Sequence, residues 1–386
     1  MVINLNQKFS NYVKLSKLRV IELLLVTTVP SMIIAIYGMP PLNLVLYTLA
    51  GGTLLAISAN VMNQVFEVGR DSLMERTSSR PLVTGELTKK NAIFYSIFCG
   101  TAGFLILYIF TTQLAALIGL IANLFYTFIY TLLLKPRTNQ NIVIGGASGA
   151  APVLIGWTAT GSSLEIGAWI LFLLVFTWTP AHFWALAIEN KSDYEEADFP
   201  MLSTQETYER TSIFIALYSC ATVIVSIIAA PILQLGIIYL FVAIFFGSNL
   251  MFKSYNLFRR KIQPIKYFVF SNTYLAVIFI GIVADVLWTL KEIWLMLDSF
   301  FSITYPPIPI TQIGPVSFSL HGVFAALGFY FGANHAIKLA EKDKQDTVLF
   351  EQGLTWAIFG AIIGARFFTI PAHIGEPGYG LDDVFS

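Results

Sequence analysis

Apolar runs of about 20 residues recur along nearly the whole chain, the length that carries a helix across roughly 30 Å of hydrocarbon. The pattern predicts about eleven spans, at 20–38, 42–66, 91–110, 114–134, 142–160, 166–188, 211–230, 235–252, 267–289, 317–337 and 351–370. The runs do not alternate with period two, and unpaired backbone groups are costly in lipid, so strands and coil fail as spanning elements. The expected fold is all-α: a polytopic membrane helical bundle with a nine-span core before residue 290 and about two extra C-terminal spans. One break interrupts the pattern, after residue 289, where Lys291, Glu292 and Asp298 lead into Pro306, Pro307 and Pro309. It divides the chain into 1–290 and 291–386.

Polar positions sort by loop. Segments 1–19, 67–90, 135–141, 189–210 and 253–266 carry eighteen of the twenty-three Lys and Arg residues, whereas the turns near 39–41, 111–113, 161–165 and 231–234 carry none. The positive-inside bias then assigns the first set, with the N-terminus, to the cytoplasmic side of the cell membrane. Lys8, Lys14, Lys17 and Arg19 precede a first run that continues past Pro30 without a small-residue cleavage site, which predicts a retained span rather than a signal peptide.

Composition agrees with lipid as the solvent. At 56% hydrophobic and 12% charged residues, the chain has more apolar surface than one water-soluble core hides. Formal net charge is zero, so no basic bias points to a nucleic-acid partner. Cys99 and Cys220 sit inside apolar runs without metal-type spacing and read as core residues.

Two acidic clusters carry the candidate chemistry. Asn63, Glu67, Asp71 and Glu75 follow one another at intervals of four where the second span runs out. On a continuing helix this spacing stacks their oxygens on one face, where like charges repel. A divalent cation reverses that sign, and Mg²⁺ favours such oxygens while keeping phosphate oxygens and water as further ligands. Arg70, Arg76 and Arg80 come just downstream, guanidinium forks suited to phosphate. A solvated loop whose charges set topology explains the same run.

The second cluster is Glu189, Asp193 and Glu196, after Trp178-Thr179-Pro180-Ala181-His182-Phe183-Trp184 at the end of the sixth span. Glu189 and Asp193 are again expected on one helical face. Acidic pairs at the ends of two separate spans can hold metal ions that clamp one diphosphate from both sides. Lys135 and Arg137 read equally well as topological charges or diphosphate ligands, and the small residues from Gly145 to Gly149 as sites of close helix packing. A transporter would carry such charges nearer the bilayer midplane, so their place at span ends favours an enzyme.

Asn63 through Leu82, Leu134 through Trp157 and Trp178 through Leu202 resemble the protoheme IX farnesyltransferases, the haem O synthase branch of the intramembrane aromatic prenyltransferases, over roughly 10–290. That resemblance implies a nine-span helical bundle that binds Mg²⁺-farnesyl diphosphate between two acidic motifs and transfers the farnesyl group to a vinyl group of haem B, giving haem O. It carries Asn63, Glu67 and Asp71 to the first motif and Glu189 and Asp193 to the second, together the implied metal ligands. Arg80, Lys135 and Arg137 fall at basic positions near the diphosphate, to which the downstream arginines add Arg76. His182 lies in the family's sixth-span motif, with a role in haem placement or proton transfer set against that of a histidine simply hydrogen-bonded in place. Where the family often has Arg and an acid, this chain has Val68 and Gly69.

Farnesyl diphosphate, haem B and the lipid bilayer are the implied partners, with haem A synthase a further candidate. A quinone precursor or chlorophyll-like ring is the alternative acceptor, and only Trp178 to Trp184 argues for haem. Residues 300–386 resemble the opening part of prolipoprotein diacylglyceryl transferase, through Ile313-Gly314-Pro315-Val316, His321-Gly322 and Gly364-Ala365-Arg366. That family's later catalytic spans are absent here, so no second activity is expected, whether the segment is a fusion or part of a longer protein.

Overall fold

The computed structural model describes residues 5–289, without the side chains of 5–8 and 18–25, and two short strands near 311–318. Helices α1 (Leu5–Ser16), α2 (Leu18–Ile36), α3 (Leu42–Asp71) and α4 (Lys89–Phe110) come first. α5 (Gln113–Leu124) continues directly into a π-helical stretch, Phe125–Leu134. The remaining helices are α6 (Asn141–Ala159), α7 (Ile166–Glu189), α8 (Lys191–Glu196), α9 (Leu202–Gln205), α10 (Tyr208–Ile232), α11 (Ile237–Phe258) and α12 (Pro264–Thr289).

Eight helices among the described residues are long and apolar enough to cross a membrane, counting α5 with its π continuation as one, and α2 adds the apolar stretch Val26–Ile36. Each of the nine spans expected before residue 290 therefore has its helix. Hydroxyl caps mark several starts: Thr88, Thr112 and Thr207 accept the N–H of Asn91, Ala115 and Arg210. The expected spans 317–337 and 351–370 lie outside the described residues, except that Val316–Phe318 is a strand, antiparallel to Thr311–Ile313. The opening of the 317–337 run is thus not helical.

The bundle is held by packing that lipid cannot supply. α3 and α4 touch backbone to backbone: a Cβ on Gly103 would sit 2.7 Å from the Gly51 carbonyl oxygen. Around α7 and α10–α12, fully buried tyrosines satisfy their hydroxyls internally, because an orphan polar group in an apolar surround costs several kcal/mol. The Tyr267 hydroxyl lies 2.6 Å from Ser219 Oγ, and those of Tyr239 and Tyr274 donate to the Ser226 carbonyl and hydroxyl oxygens. The one carboxylate deep in α12, Asp285, accepts the N–H groups of Gly236 at 2.6 Å and Tyr239 at 3.1 Å. It caps the start of α11, where the helix dipole favours a negative charge. Because spans alternate in direction, the segments after α1, α3, the π stretch and α7 share one end of the bundle.

Candidate active site

At that shared end, α1 docks on α3 through Gln64, whose Nε2 donates to the Leu15 carbonyl at 2.7 Å, and on α4 through Ser16 Oγ, 2.9 Å from the Tyr95 hydroxyl. The chain then turns at Lys17, a non-glycine residue in the left-handed region (φ 51°), a conformation that costs energy and concentrates at functional positions. The turn brings Lys17 Nζ to 3.3 Å from Asn63 Oδ1.

Asn63, Glu67 and Asp71 do form one face of α3, and all three are buried. The π stretch comes up against that face. Its wider winding, a form that recurs at functional sites, sets Thr131 Oγ1 3.3 Å from Asn63 Nδ2, and Lys135 at its end places Nζ 2.7 Å from both oxygens of Glu67. Close approach here needs Gly145 on α6, since a Cβ would lie 2.3 Å from the Tyr130 ring. Arg80 returns from the loop after α3, and its Nη1 donates to Asp71 Oδ2 at 2.5 Å.

The second acidic loop closes over the first. Phe199 takes Arg70 and Lys135 against its ring, each cation 4.6 Å from the centroid. Asp193 Oδ2 accepts the Arg76 backbone N–H at 3.4 Å, with Arg76 Nε 4.0 Å away. Three cations, Lys17, Arg80 and Lys135, thus face two buried carboxylates, an excess of positive charge that suits a polyanion. Burial first, then the Arg80 guanidinium, lower the Lys17 ammonium to about 7 against the pull of Glu67.

Four expectations need correcting. α3 ends at Asp71, so Glu75 leaves the acidic face and lies exposed in the following turn. Helix α7 ends at Glu189 and the chain breaks at Asn190 (φ −105°, ψ 34°), so Glu189 and Asp193 share no continuous helical face. Glu189 is exposed, whereas Asp193 turns inward to Arg76. Arg137 is also exposed, and its Nη1 donates to the carbonyls of Leu132 and Leu133; it caps the π stretch instead of facing the acids. Lys17, which the sequence offered only as a topological charge, is brought by the fold to the acidic face of α3.

A metal ion fits part of this arrangement. Asp71 Oδ1 is buried without a hydrogen-bond partner, and Asn63, Glu67 and Asp71 offer only hard oxygen donors, as Mg²⁺ requires. Among the described residues, no three His, Cys, Asp or Glu side chains converge on one point; the carboxylates are instead paired with cations.

Beneath the charged end lies a cavity of about 720 Å³, lined mainly by apolar groups and reached by Asn60, Tyr126 and Tyr130 on one side and Trp178, His182 and Phe268 on the other. Its size suits a substantial organic ligand.

Residues 24–274 match the model of the UbiA prenyltransferase family. The chain is 44% identical to protoheme IX farnesyltransferase 1 of Saccharopolyspora erythraea over 71% of its own length and 89% of that protein, and 42% identical to the protoheme IX farnesyltransferase of Cutibacterium acnes over 71% and 84%. Among solved structures, a digeranylgeranylglyceryl phosphate synthase superposes with a TM-score of 0.62 at 17% identity, covering 73% of this chain and 99% of that one. A UbiA homologue from Archaeoglobus fulgidus bound to DMAPP and Mg²⁺ gives 0.52 at 17% identity, over 71% and 99%. At such identities the structures speak for the fold, while the sequence relatives speak for descent. An all-helical membrane bundle, acids at the ends of two spans and matches along most of both chains lead to one assignment: the chain belongs to the UbiA prenyltransferase family.

Proposed function

We propose that this prenyltransferase transfers the farnesyl group of farnesyl diphosphate to a vinyl group of haem B, releasing diphosphate and giving haem O. The observation that carries the reading is the joining of a cation-rich, carboxylate-bearing end to a large apolar cavity, in a chain whose relatives at over 40% identity are named protoheme IX farnesyltransferases. The acceptor chemistry follows. The allylic C1–O bond breaks, its electron pair leaves on diphosphate, and the terminal vinyl carbon forms the new C–C bond. Water then adds to the neighbouring carbon, which becomes the hydroxyl carbon as one proton is lost.

Each part of the site has work in that sequence. Lys17, Arg80 and Lys135 are positioned to neutralise charge that grows on the departing diphosphate, a preorganised stabilisation that lowers the ionisation barrier by several kcal/mol. Arg76 joins them from the rim, through the loop that holds Asp193. Asn63, Glu67, Asp71 and Asp193 would hold Mg²⁺, with Glu189 as an outer candidate that must turn inward. Bound there, the ion would supply positive charge to the phosphate oxygens. Tyr126 and Tyr130 line the cavity, where aromatic walls exclude water from an allylic cation.

The Lys and Arg bias of the loops supports a cytoplasmic site in the cell membrane. An engineered cysteine in 72–88 should react with an impermeant reagent only from the cytoplasmic side; reaction from outside would refute that orientation. A haem A synthase, which would consume haem O, is the protein partner this reading implies. The proposed site is built from residues before 290.

The test is incubation of the purified protein with haem B, Mg²⁺ and prenyl diphosphates of several lengths, followed by mass analysis of the porphyrin. Haem B should gain one farnesyl group and one hydroxyl group. Prenylation of a quinone precursor with haem B untouched would contradict the reading.

A further inference from the structure

The cavity wall holds one histidine, packed on both faces by aromatic rings. His182 stacks between Trp178 and Phe268, with centroids 4.2 Å away on each side and interplanar angles of 21° and 23°. Phe183 meets it edge-on, centroid to centroid 5.4 Å. The ring plane is therefore held from three directions, by residues of its own helix and of α12.

Its tautomer follows from a short chain of hydrogen bonds. Ser271 Oγ donates its single proton to the Phe268 carbonyl at 2.7 Å, which leaves that oxygen only as an acceptor. His182 Nδ1 lies 2.7 Å from the same oxygen; with the hydroxyl proton on the carbonyl, Nδ1 carries the ring proton and donates it to Ser271. Nε2 is left with an in-plane lone pair, and no described donor hydrogen-bonds to it. The edge of the ring away from Ser271 is the edge that bears Nε2, and His182 lines the 720 Å³ cavity.

A neutral imidazole, fixed at Nδ1 by an oxygen and clamped on both faces, is the arrangement by which proteins orient a histidine toward a metal. Imidazole nitrogen suits iron, and haem iron takes histidine as an axial ligand. The proposed acceptor brings such an iron with it. Resting on the function proposed above, we propose that His182 Nε2 is an axial ligand of the acceptor haem's iron, with Ser271 as the positioning residue behind it.

The consequence is regiochemical. An iron–nitrogen bond in the plane of a clamped ring fixes both the centre and the tilt of the porphyrin. Its vinyl edge is then held at a set position relative to the cavity wall that carries Tyr126 and Tyr130. About seven residues of α7, or roughly 10 Å of helix, separate His182 from the helix end at Glu189, a span comparable with half the width of a porphyrin plus a prenyl carbon.

Haem B titrated into the purified full chain, read by visible absorption and electron paramagnetic resonance, tests this directly. Wild-type protein should give an imidazole-ligated spectrum. His182→Ala should lose that spectrum and regain it when free imidazole is added, while farnesyl diphosphate binding with Mg²⁺ stays at the wild-type level and reports an intact fold. Ser271→Ala keeps the ring and its stacking, and should weaken haem B binding by about tenfold, as loss of a group behind a metal ligand does, while leaving iron-free protoporphyrin IX binding unchanged. A wild-type haem spectrum in His182→Ala, with farnesylation of haem B intact, would overturn the iron ligand and leave the proposed function standing. A wild-type chain that neither binds nor farnesylates haem B, yet prenylates another acceptor, would overturn both.

Discussion

The charged end of the bundle and the cavity beneath it solve opposite problems with the same helices. At the end, the buried carboxylates each have a cation within contact distance, Glu67 with Lys135 and Asp71 with Arg80, and Lys17, whose ammonium is lowered to about 7, lies beside them on Asn63. In the cavity the polar side-chain groups are hydroxyls, amides, one indole and one imidazole, and those of Trp178, Thr179 and His182 are held by neutral groups. The difference separates the tasks of handling a leaving group and holding an acceptor. Charge can be concentrated where loops reach water, because pairing there offsets desolvation, whereas an unpaired charge in the bundle interior costs several kcal/mol.

Substitutions at the two regions should therefore fail differently. The largest effect belongs to Asp71→Asn and Asp193→Asn, which remove charge from the proposed metal site without removing packing. Each should lower the rate of prenyl transfer by about 10²–10³-fold, measured by haem product formation per folded molecule, with insertion retained. Wild-type turnover in either variant would remove the metal clamp from the account.

Lys17→Met comes next. A charged hydrogen bond to phosphate contributes about 1.5–3 kcal/mol, so farnesyl diphosphate binding should weaken by roughly 10–100-fold while haem B binding does not change. Equal loss of both ligands would show that the turn between α1 and α2 supports the whole bundle and not the charged end alone.

The smallest effects mark where the site stops. Arg137 is occupied by the carbonyls that close the π stretch, so Arg137→Ala should change activity by no more than about twofold, as for other exposed positions. Ending the chain near residue 298 should leave specific activity per folded molecule unchanged, even where yield falls. A large loss of specific activity with diphosphate binding intact would assign the tail a part in the acceptor pocket.

Much of this division was legible in the residues, for physical reasons that also explain the misses. Nine helices were readable because lipid demands uninterrupted apolar length, and no other pattern meets that demand. Asn63, Glu67 and Asp71 were placed on one face because α3 stays helical through Asp71. The same spacing carried too far at Glu75 and across Asn190, since i,i+4 intervals assume a continuing helix and say nothing of where it ends. Lys17 was missed because its partner Asn63 lies 46 residues away, a contact set by how α1 docks. The π winding over Phe125–Leu134 was also unreadable: its composition is that of any apolar helix, yet it delivers Lys135 to Glu67. The clamp on His182 depends on Phe268 and Ser271 from α12, which no local pattern joins to the sixth span.

The most direct test of separate handling is a paired calorimetric titration of Mg²⁺ with an unreactive farnesyl diphosphate analogue, and of haem B, into the wild type and Asp71→Asn. The account predicts that Asp71→Asn loses analogue binding and keeps haem B binding at the wild-type level. Retained analogue binding, or loss of haem B binding in a folded variant, would contradict it.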